Sequence, residues 1–523
     1  MSEASATTAQ RGLRQTMAWA HGWLGLIAGW ILFTMFLTGT SAYFRPEITQ
    51  WMQPEIRPSA ASPAQAASSA VRYLSRIGAD DLQWYIYLPD ERTVATRVFR
   101  IPAKPDPQQR RRDELDLDPV SGAPLTARET KGGEHFYRFH FQLQLPHPWG
   151  RWLAGLCAMA MLGAIISGVI THKRIFADFF TLRWNKGQRS WLDAHNVSAV
   201  LGLPYHAMIT YTGLITLVTM YMPWPALMNY AQPAKFAQAA YDLPDDVAAS
   251  GVRRPLVAIA PLVADAERRL GGAATRVIIQ NPGDAAARIA IAQGKRGTIN
   301  AQTPTVTYEG ATGRFVSQSG APASAIETAG VMLGLHLATF ASPALRWAYF
   351  VMGLTGAAMV GTGLLLWTAK RRKPNAAPFF GLRLAERLNI AVIAAFPIGM
   401  AAYLLANRLI PATLEGRADM EVSAMFWSWG LLALAQLALP ARRAWTILFA
   451  LAAAAWAAIP VVDALTTSRW LVPALLDGDH LFVAFDLACL AIGIGFAVAA
   501  RISARPAPAA PKRTRRSLEP VHA

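Results

Sequence analysis

Eight long apolar runs constrain the fold of this chain more than any other feature. They lie at about residues 22–44, 152–171, 197–222, 344–368, 389–410, 422–440, 444–465 and 480–500. A bilayer core of about 30 Å is crossed by about 20 apolar residues in a helix, so each run is long enough to span a membrane. Of all residues, 53% are hydrophobic and only 16% are charged, whereas an average soluble domain has about 25% charged residues. The sequence therefore predicts a predominantly α-helical membrane protein with about eight transmembrane helices, and it excludes a soluble enzyme and a disordered or fibrous protein.

The first run is interpreted as a retained membrane anchor and not as a cleaved signal peptide. It is too long for the apolar region of a signal peptide. Its small residues Thr38 to Ala42 lead into the aromatic Tyr43 and Phe44, which do not form a clear cleavage site.

Lysine and arginine residues gather in short clusters between the runs, and these clusters predict the orientation. If every run crosses, all clusters fall on one side, which the positive-inside rule identifies as the cytoplasm. We therefore expect a multi-pass protein of the bacterial inner membrane with both termini cytoplasmic and a disordered tail from Ala504. The net charge of +17 is then explained by topology and contact with membrane lipid, without nucleic-acid binding. The clusters are Arg11 and Arg14; Lys173, Arg174, Arg183, Lys186 and Arg189; Lys370 to Lys373; Arg442 and Arg443; and Lys512, Arg513, Arg515 and Arg516.

The orientation divides the chain into alternating cytoplasmic, membrane and periplasmic segments. Cytoplasmic segments are predicted at 1–20, 173–194, 369–388 and 504–523. The first four transmembrane helices are predicted at 21–44, 151–172, 195–222 and 341–368, and four more within 389–503. Two large periplasmic segments are predicted at 45–150 and 223–340.

Both periplasmic segments have β-like stretches and end on similar turns. The stretches are Trp84 to Leu88 and Arg276 to Ile279, whose alternation is typical of strands. The turn Asp116-Leu117-Asp118-Pro119-Val120-Ser121-Gly122 is echoed by Thr307-Tyr308-Glu309-Gly310-Ala311-Thr312-Gly313. We interpret the echo as a weak internal repeat and predict two small α+β periplasmic domains. The alternative is two unrelated hairpins.

Six histidines near the first four spans are the candidate functional residues. They are His21, His140, His172, His195, His206 and His336, whereas the last four spans have only His480 at an end. Ionisable residues at membrane depth are costly and indicate a functional site. His195 and His206 are eleven residues apart, so on a continuous helix they would lie within about 20° of one face and about 16 Å apart; a kink at Pro204 would loosen this estimate. Structural packing is the alternative role for such histidines.

Haem b is the cofactor that suits these histidines best. The two cysteines, Cys157 and Cys489, lie in apolar runs and exclude disulfides, covalent haem attachment, cysteine-ligated iron–sulfur clusters and cysteine zinc sites. Zinc would need three or four converging ligands, whereas haem needs one histidine from each of two helices and an apolar pocket. Many glycines on the same helices would let a macrocycle approach the backbone or let helices pack closely. Arg11, Arg14, Lys173 and Arg174 would pair with haem propionates or only set the topology.

Four groups of residues together resemble the PepSY-associated transmembrane family, over about residues 11–373. They are His21-Gly22-Trp23-Leu24-Gly25-Leu26 with Leu37-Thr38-Gly39-Thr40; the loop from Thr171 to Arg183; Arg189 to Asn196 with Leu203-Pro204-Tyr205-His206; and Gly334-Leu335-His336-Leu337 with Leu345-Arg346-Trp347. The resemblance implies PepSY-like periplasmic modules and a four-helix haem-binding core, here followed by four extra helices. Better-understood members resemble inner-membrane ferric-siderophore reductases with b-type haems. One departure is Gln144, where members tend to have a second histidine after Phe139-His140-Phe141.

The resemblance leads us to expect two haems b that carry electrons to a ferric siderophore in the periplasm. His140 and His336 are expected to ligate the haem near the periplasm. The other haem would use two of His21, His172, His195 and His206, including one from the third span. Siderophores hold Fe(III) through hard oxygen donors and hold Fe(II) far less tightly, so reduction releases iron. No Gly-x-Gly-x-x-Gly motif follows a predicted strand, so a quinol or a cytoplasmic reductase is expected as the donor; no catalytic residue is assigned.

Other interpretations stay open. The chain could be a membrane-anchored PepSY binding or regulatory module without a redox cofactor, or a siderophore or metal transporter in which Asp463 and Asp486 matter. The last four spans could pack around the core, mediate oligomerisation or bind a donor. The aromatic Trp84, Tyr85, Tyr87 and Tyr137, with the basic Arg97, Arg100 and Arg138, either line a chelate pocket or pack and coat their domain.

Overall fold

The computed structural model describes residues 12–58, 60–103, 114–172, 181–184, 186–230, 232, 235–236, 247–294, 297–320, 324–373 and 376–505. The predicted cations Arg11, Lys173 and Arg174, and the predicted basic tail from Lys512 to Arg516, lie outside these residues.

Six helical segments among the described residues are long and apolar enough to cross a membrane. Their cores coincide with six of the eight predicted spans. They are α1 (Leu13–Ala42), α5 (Trp149–Thr171), α12 (Pro343–Arg371), the segment Phe380–Leu409, α16 (Ala441–Thr466) and α18 (His480–Ala504). The segment Phe380–Leu409 consists of α13 (Phe380–Asn389), a wider π-helical turn (Ile390–Ala395) and α14 (Phe396–Leu409). Pro397 begins the second half, and its missing N–H accounts for the irregular turn before it.

The two other predicted spans are less regular. The third is broken at Gly202 into α6 (Gln188–Leu201) and α7 (Leu203–Thr216), followed by the short α8 (Val218–Tyr221) and α9 (Trp224–Asn229). The helix through His195 and His206 is therefore interrupted, as a kink at Pro204 would allow, and Pro204 lies in the first turn of the new helix after Gly202. The sixth is α15 (Arg417–Ala435), which has Arg417, Asp419 and Glu421 in its first turns.

Four helical units pack closely into a core. Helix α1 lies against α5 on one side and against α12 on the other, and α6 packs on α12. Glycines make these contacts close, since a Cβ at Gly353 would meet Thr40 and one at Gly356 would meet Phe36. Helix α12 begins at Ser342, whose hydroxyl accepts from the Leu345 N–H, a normal N-cap with proline following it.

The strands of both large segments join in one sheet. Strands β1 (Gln83–Tyr87), β2 (Thr96–Ile101) and β3 (Glu114–Leu117) come from the first segment. Strands β4 (Ala274–Gln280), β5 (Arg288–Gln293), β6 (Thr305–Glu309) and β7 (Phe315–Gln318) come from the second. The sheet is antiparallel in the order β3-β2-β1-β4-β5-β6-β7. Where the sequence predicts two small domains, the structure has two halves of one domain, because β1 pairs with β4 from Gln83↔Gln280 to Tyr87↔Arg276.

One helix from each half covers the same face of the sheet. Helices α3 (Pro63–Ile77) and α10 (Ile259–Leu270) pack against each other and bury a joint core that includes Trp84, Val277 and Tyr308. The echoed turns are also alike. Gly122 has φ +76° and donates to the Asp118 carbonyl at 2.8 Å, and Gly313 has φ +73° and donates to the Glu309 carbonyl at 2.9 Å. Each half therefore repeats a helix, three strands and a glycine-closed turn.

Helices α13 to α18 form a second bundle that packs against the core. Within it, α17 is the short helix Leu471–Leu476. They contact α2 (Arg45–Met52) and α4 (Gly132–Gln142). Buried arginines make these joints: Arg408 donates to the Trp51 carbonyl, Arg417 to the Glu129 carbonyl and Arg469 to the Ile56 carbonyl. These contacts show the C-terminal helices packing around the core, which is one of the three roles considered for them.

Candidate functional site

Two of the six candidate histidines, His21 on α1 and His195 on α6, form a partly buried pair. Their ring centroids are 6.0 Å apart and their planes cross at 66°. His21 Nδ1 lies 2.8 Å from the Ala164 carbonyl, and His195 Nδ1 lies 2.8 Å from the Met359 carbonyl. A carbonyl only accepts, so each Nδ1 carries the hydrogen and each Nε2 keeps its lone pair.

A second pair is built in the same way. His140, on α4, and His336, on α11 (Ser324–Leu337), have ring centroids 6.1 Å apart and an interplanar angle of 33°. His140 Nδ1 donates to the Met35 carbonyl at 2.8 Å, and His336 Nδ1 donates to the Ile209 carbonyl at 3.0 Å. Their Nε2 atoms are again the free lone pairs. Fixing a ligating histidine through its other nitrogen is the usual support in metal sites.

A glycine stands against each of the four rings. An added Cβ would come within 3.2 Å of His21 at Gly168, 3.1 Å of His195 at Gly363, 2.5 Å of His140 at Gly39 and 2.8 Å of His336 at Gly213. These glycines were expected to admit a macrocycle or to bring helices together. The structure shows that their missing side chains make room for the imidazole rings.

The ring spacing of both pairs fits a single metal between two imidazoles. With metal–nitrogen bonds of about 2 Å and a ring centre about 1 Å behind each nitrogen, two imidazoles on opposite sides of one iron have centroids about 6 Å apart. Among the described residues, no group of three or more His, Cys, Asp or Glu side chains converges on a possible metal position. The structure thus offers pairs of imidazoles, which suit haem, and within those residues no zinc-type cluster.

The two pairs lie at opposite ends of α1. His21 belongs to the first pair, and the Met35 carbonyl holds the second pair, fourteen residues further along the same helix. At about 1.5 Å per residue the separation along the axis is about 21 Å. Two sites at different depths is the arrangement expected from the sequence.

His206 and His172 do not join either pair. His206 is 1% exposed, and its Nε2 lies 3.3 Å from the Thr355 hydroxyl. That hydroxyl already donates to the Met352 carbonyl, so it accepts from His206, and the Nε2 of this residue carries the hydrogen. His206 is therefore held in the opposite tautomer from the four paired histidines, with its Nδ1 buried and unpartnered. His172 lies at the end of α5, partly exposed, near the first pair.

A cavity of about 450 Å³ contains the second pair. Its wall is mostly apolar, and Arg45, Arg92 and Arg151 line it together with Tyr137. Arg92 is neutralised by Glu47 at 2.8 Å and Arg45 contacts Glu134 at 3.1 Å. The Nε of Arg151 is buried without a hydrogen-bond partner. An apolar pocket with two imidazoles and an unpaired guanidinium N–H fits a planar apolar cofactor that carries carboxylates.

Three classes of functional residue escaped the sequence reasoning. The carbonyls of Met35, Ala164, Ile209 and Met359 have no side-chain signature. The glycines beside each ring were noted without their role. Arg151 did carry a signal, because it is a charged residue in the first turn of an apolar span.

The residues predicted as a possible chelate pocket are scattered. Trp84 lies in the core of the sheet domain and donates to Asp81 at 2.8 Å. Arg97 pairs with Asp116, Arg100 with Asp81 and Arg138 with Glu134. Tyr85 stacks on Phe99 on the other face of the sheet, beside Tyr87, whereas Tyr137 lines the cavity. Packing and surface pairing account for this set better than one joint pocket.

The fold and these sites define a class: a multi-pass helical membrane protein with two partly buried histidine pairs and a sheet domain outside the spans. The family model described as the PepSY-associated TM region matches residues 18–370, and the chain belongs to that family. It is also 28% identical over 283 residues to "Uncharacterized protein PA4219" of Pseudomonas aeruginosa. The aligned region covers 51% of this chain and 70% of that protein. The matched family region contains all six candidate histidines and ends before α13.

Proposed function

We propose that this protein is a haem b oxidoreductase of the bacterial inner membrane that moves electrons across the membrane to a ferric siderophore in the periplasm. The observation that carries the proposal is the two histidine pairs, each with both Nε2 lone pairs free and centroids 6.0 and 6.1 Å apart. Reduction to Fe(II) would loosen the hard-oxygen chelate and release iron for uptake.

The residues of the chain would hold two haems in a fixed geometry. His21 with His195 and His140 with His336 would ligate the iron through Nε2, while their Nδ1 hydrogen bonds keep the rings from turning. When bound, haem supplies a one-electron carrier at each of the two depths. Arg151 is the residue best placed to bind a propionate at the second pair, since its buried Nε–H has no other acceptor.

The orientation in this proposal follows the basic clusters. Lys370 and Arg371 end α12 on the side of the first pair, which the positive-inside rule makes cytoplasmic. The second pair then faces the periplasm, and α4, which carries His140, connects it to the sheet domain. A quinol or a cytoplasmic reductase would supply the electrons.

The test is haem content by the pyridine haemochrome assay and a reduced-minus-oxidised spectrum on the purified full chain. We expect two haems b per chain, reoxidised when a ferric siderophore is added. His195→Ala and His336→Ala should each retain one haem, and His206→Ala should retain both. His480→Ala, which removes an exposed histidine at the start of α18, is the matched control and should change nothing.

The alternatives give different results in the same preparation. A colourless protein expressed with ample haem would overturn the proposal in favour of a PepSY binding module without cofactor. Siderophore uptake into proteoliposomes without any reductant would instead favour a transporter.

A further inference from the structure

Two aspartates are buried together in the C-terminal bundle, outside the family-matched region. Asp463 lies on α16 and Asp486 lies on α18, and both are 0% exposed. The two helices pack along each other, and the two carboxyl groups interact electrostatically. The proposed haem sites do not use either residue.

A single arginine neutralises one of the two carboxylates. Arg408, also buried, donates its Nε–H to Asp463 Oδ1 at 2.5 Å. Its other nitrogens donate to Asn407 Oδ1 and to the Trp51 carbonyl, both at 2.6 Å. Each nitrogen of the Arg408 guanidinium therefore donates one hydrogen bond, and none of these three bonds goes to Asp486.

Several polar atoms in this cluster have no hydrogen-bond partner among the described residues. They are Asp463 Oδ2, both oxygens of Asp486 and the indole Nε1 of Trp51. The Trp51 indole N–H and the Leu471 backbone N–H both lie near Asp486, but neither reaches hydrogen-bond geometry with its carboxyl oxygens. Buried polar atoms are nearly always paired, so this group of four marks a place where a hydrogen or a ligand is needed.

The surrounding charged groups do not balance Asp486. Arg469 is paired with Asp479 at 2.6 Å near the start of α18, and Arg128 is paired with Glu55 at 2.7 Å. Cys489, one turn along α18, is a buried free thiol. One arginine against two ionised aspartates would leave a net charge of −1 sealed from solvent, which is strongly unfavourable.

We propose that Asp486 binds one proton. The proton comes from water, an O–H bond forms on Asp486, and hydroxide is left in the solvent. The net charge of the cluster changes from −1 to zero. The C-terminal bundle would thus contain a proton-binding site, a proposal that does not rest on haem binding.

The test is infrared spectroscopy of the full chain, in which a protonated carboxyl has its own carbonyl band that shifts in D₂O. Asp486→Asn should lose this band, leaving the Arg408–Asp463 pair. Asp463→Asn should lose it too, because Arg408 would then neutralise an ionised Asp486. Asp477→Asn is the matched control, since Asp477 is an exposed carboxyl in the turn before α18, and it should keep the band.

The proposal is overturned if Asp486→Asn loses a carboxylate band while the protonated-carboxyl band stays unchanged, because Asp486 is then ionised in the wild-type chain. If the variants do not accumulate, the wild-type chain labelled with ¹³C in its aspartate carboxyls gives the same decision. A protonated aspartate band at neutral pH supports the site, and its absence refutes it.

Discussion

The closest contact at the proposed haem sites is between Gly39 and His140, and it makes Gly39→Ala an informative substitution. The new Cβ would lie 2.5 Å from His140 Nδ1 and 2.7 Å from its Cε1. Atoms of this size rest about 3.5 Å apart, so the ring would have to retreat from α1 by about 1 Å. The hydrogen bond to the Met35 carbonyl, now 2.8 Å, would then exceed the normal limit of about 3.2 Å.

A shift of this size is several times what a metal site tolerates, which is about 0.2 Å in ligand distance. We therefore expect Gly39→Ala to lower the haem content from two per chain towards one. Alanine favours a helix over glycine by about 1 kcal/mol, so the loss should occur without unfolding of α1. The assay is pyridine haemochrome per chain, with thermal unfolding measured on the same sample.

Two substitutions on the same helix are the controls. Gly25→Ala meets no atom within 4 Å, and Gly29→Ala presses only on the flexible end of Leu364. Both should retain two haems. If Gly39→Ala also retained two haems with unchanged spectra, the inference that this glycine makes room for a ligating imidazole would be refuted.

Three further predictions concern charged groups. Arg151→Gln should weaken haem retention at the second pair by about tenfold or more, since a hydrogen bond to a charged group contributes about 1.5–3 kcal/mol; haem titration of the apoprotein measures this. Arg408→Met should destabilise the chain by about 3–5 kcal/mol, because it leaves Asp463 buried and unpaired, as measured by unfolding in denaturing detergent. Arg314 and the Thr312 hydroxyl lower the pKa of Glu309 to about 2, so this turn should be stabilised at pH above about 4.5 and lose that contribution as pH falls through about 2; proteolysis of the β6–β7 turn across that pH range measures it.

Each of these has a matched comparison. Arg138→Gln removes an exposed arginine from α4 and should leave haem binding unchanged. Equal haem retention in the Arg151→Gln and Arg138→Gln variants would contradict the role inferred for Arg151. Arg253→Met breaks an exposed pair with Asp80, which should cost about 0–1 kcal/mol. Glu309→Gln should remove the acid sensitivity of its turn, and sensitivity that persists in this variant belongs to other groups.

The sequence places the histidines along the chain but not in three dimensions. His140 and His336 were expected together, and the structure brings them together. For the other site four residues stayed open, because the choice depends on which rings come within pairing distance: His195 meets His21, whereas His206 lies against Thr355. The tautomers also depend on backbone carbonyls, which are the same in every residue type and leave no pattern to read.

The sheet shows a similar limit. Alternating residues located Trp84 to Leu88 and Arg276 to Ile279 as strands, and the echoed turns indicated a repeat. Their pairing with each other joins residues almost two hundred positions apart, which no local pattern specifies. Strands β1 and β4 would each leave an open edge in a separate domain, and they pair with each other instead. This long-range pairing merges the two predicted domains into one sheet.

The β1–β4 pairing also sets an order of events during biosynthesis. Strand β1 is made early, and its partner β4 follows about 190 residues later, since Tyr87 pairs with Arg276. At about 5–20 residues per second, the first half of the sheet waits for about 10–40 s with an unpaired central edge. During that time helices α4 to α10 must be made before the missing strand is delivered. The nascent first half therefore has an exposed strand edge that can pair with another chain until β4 covers it.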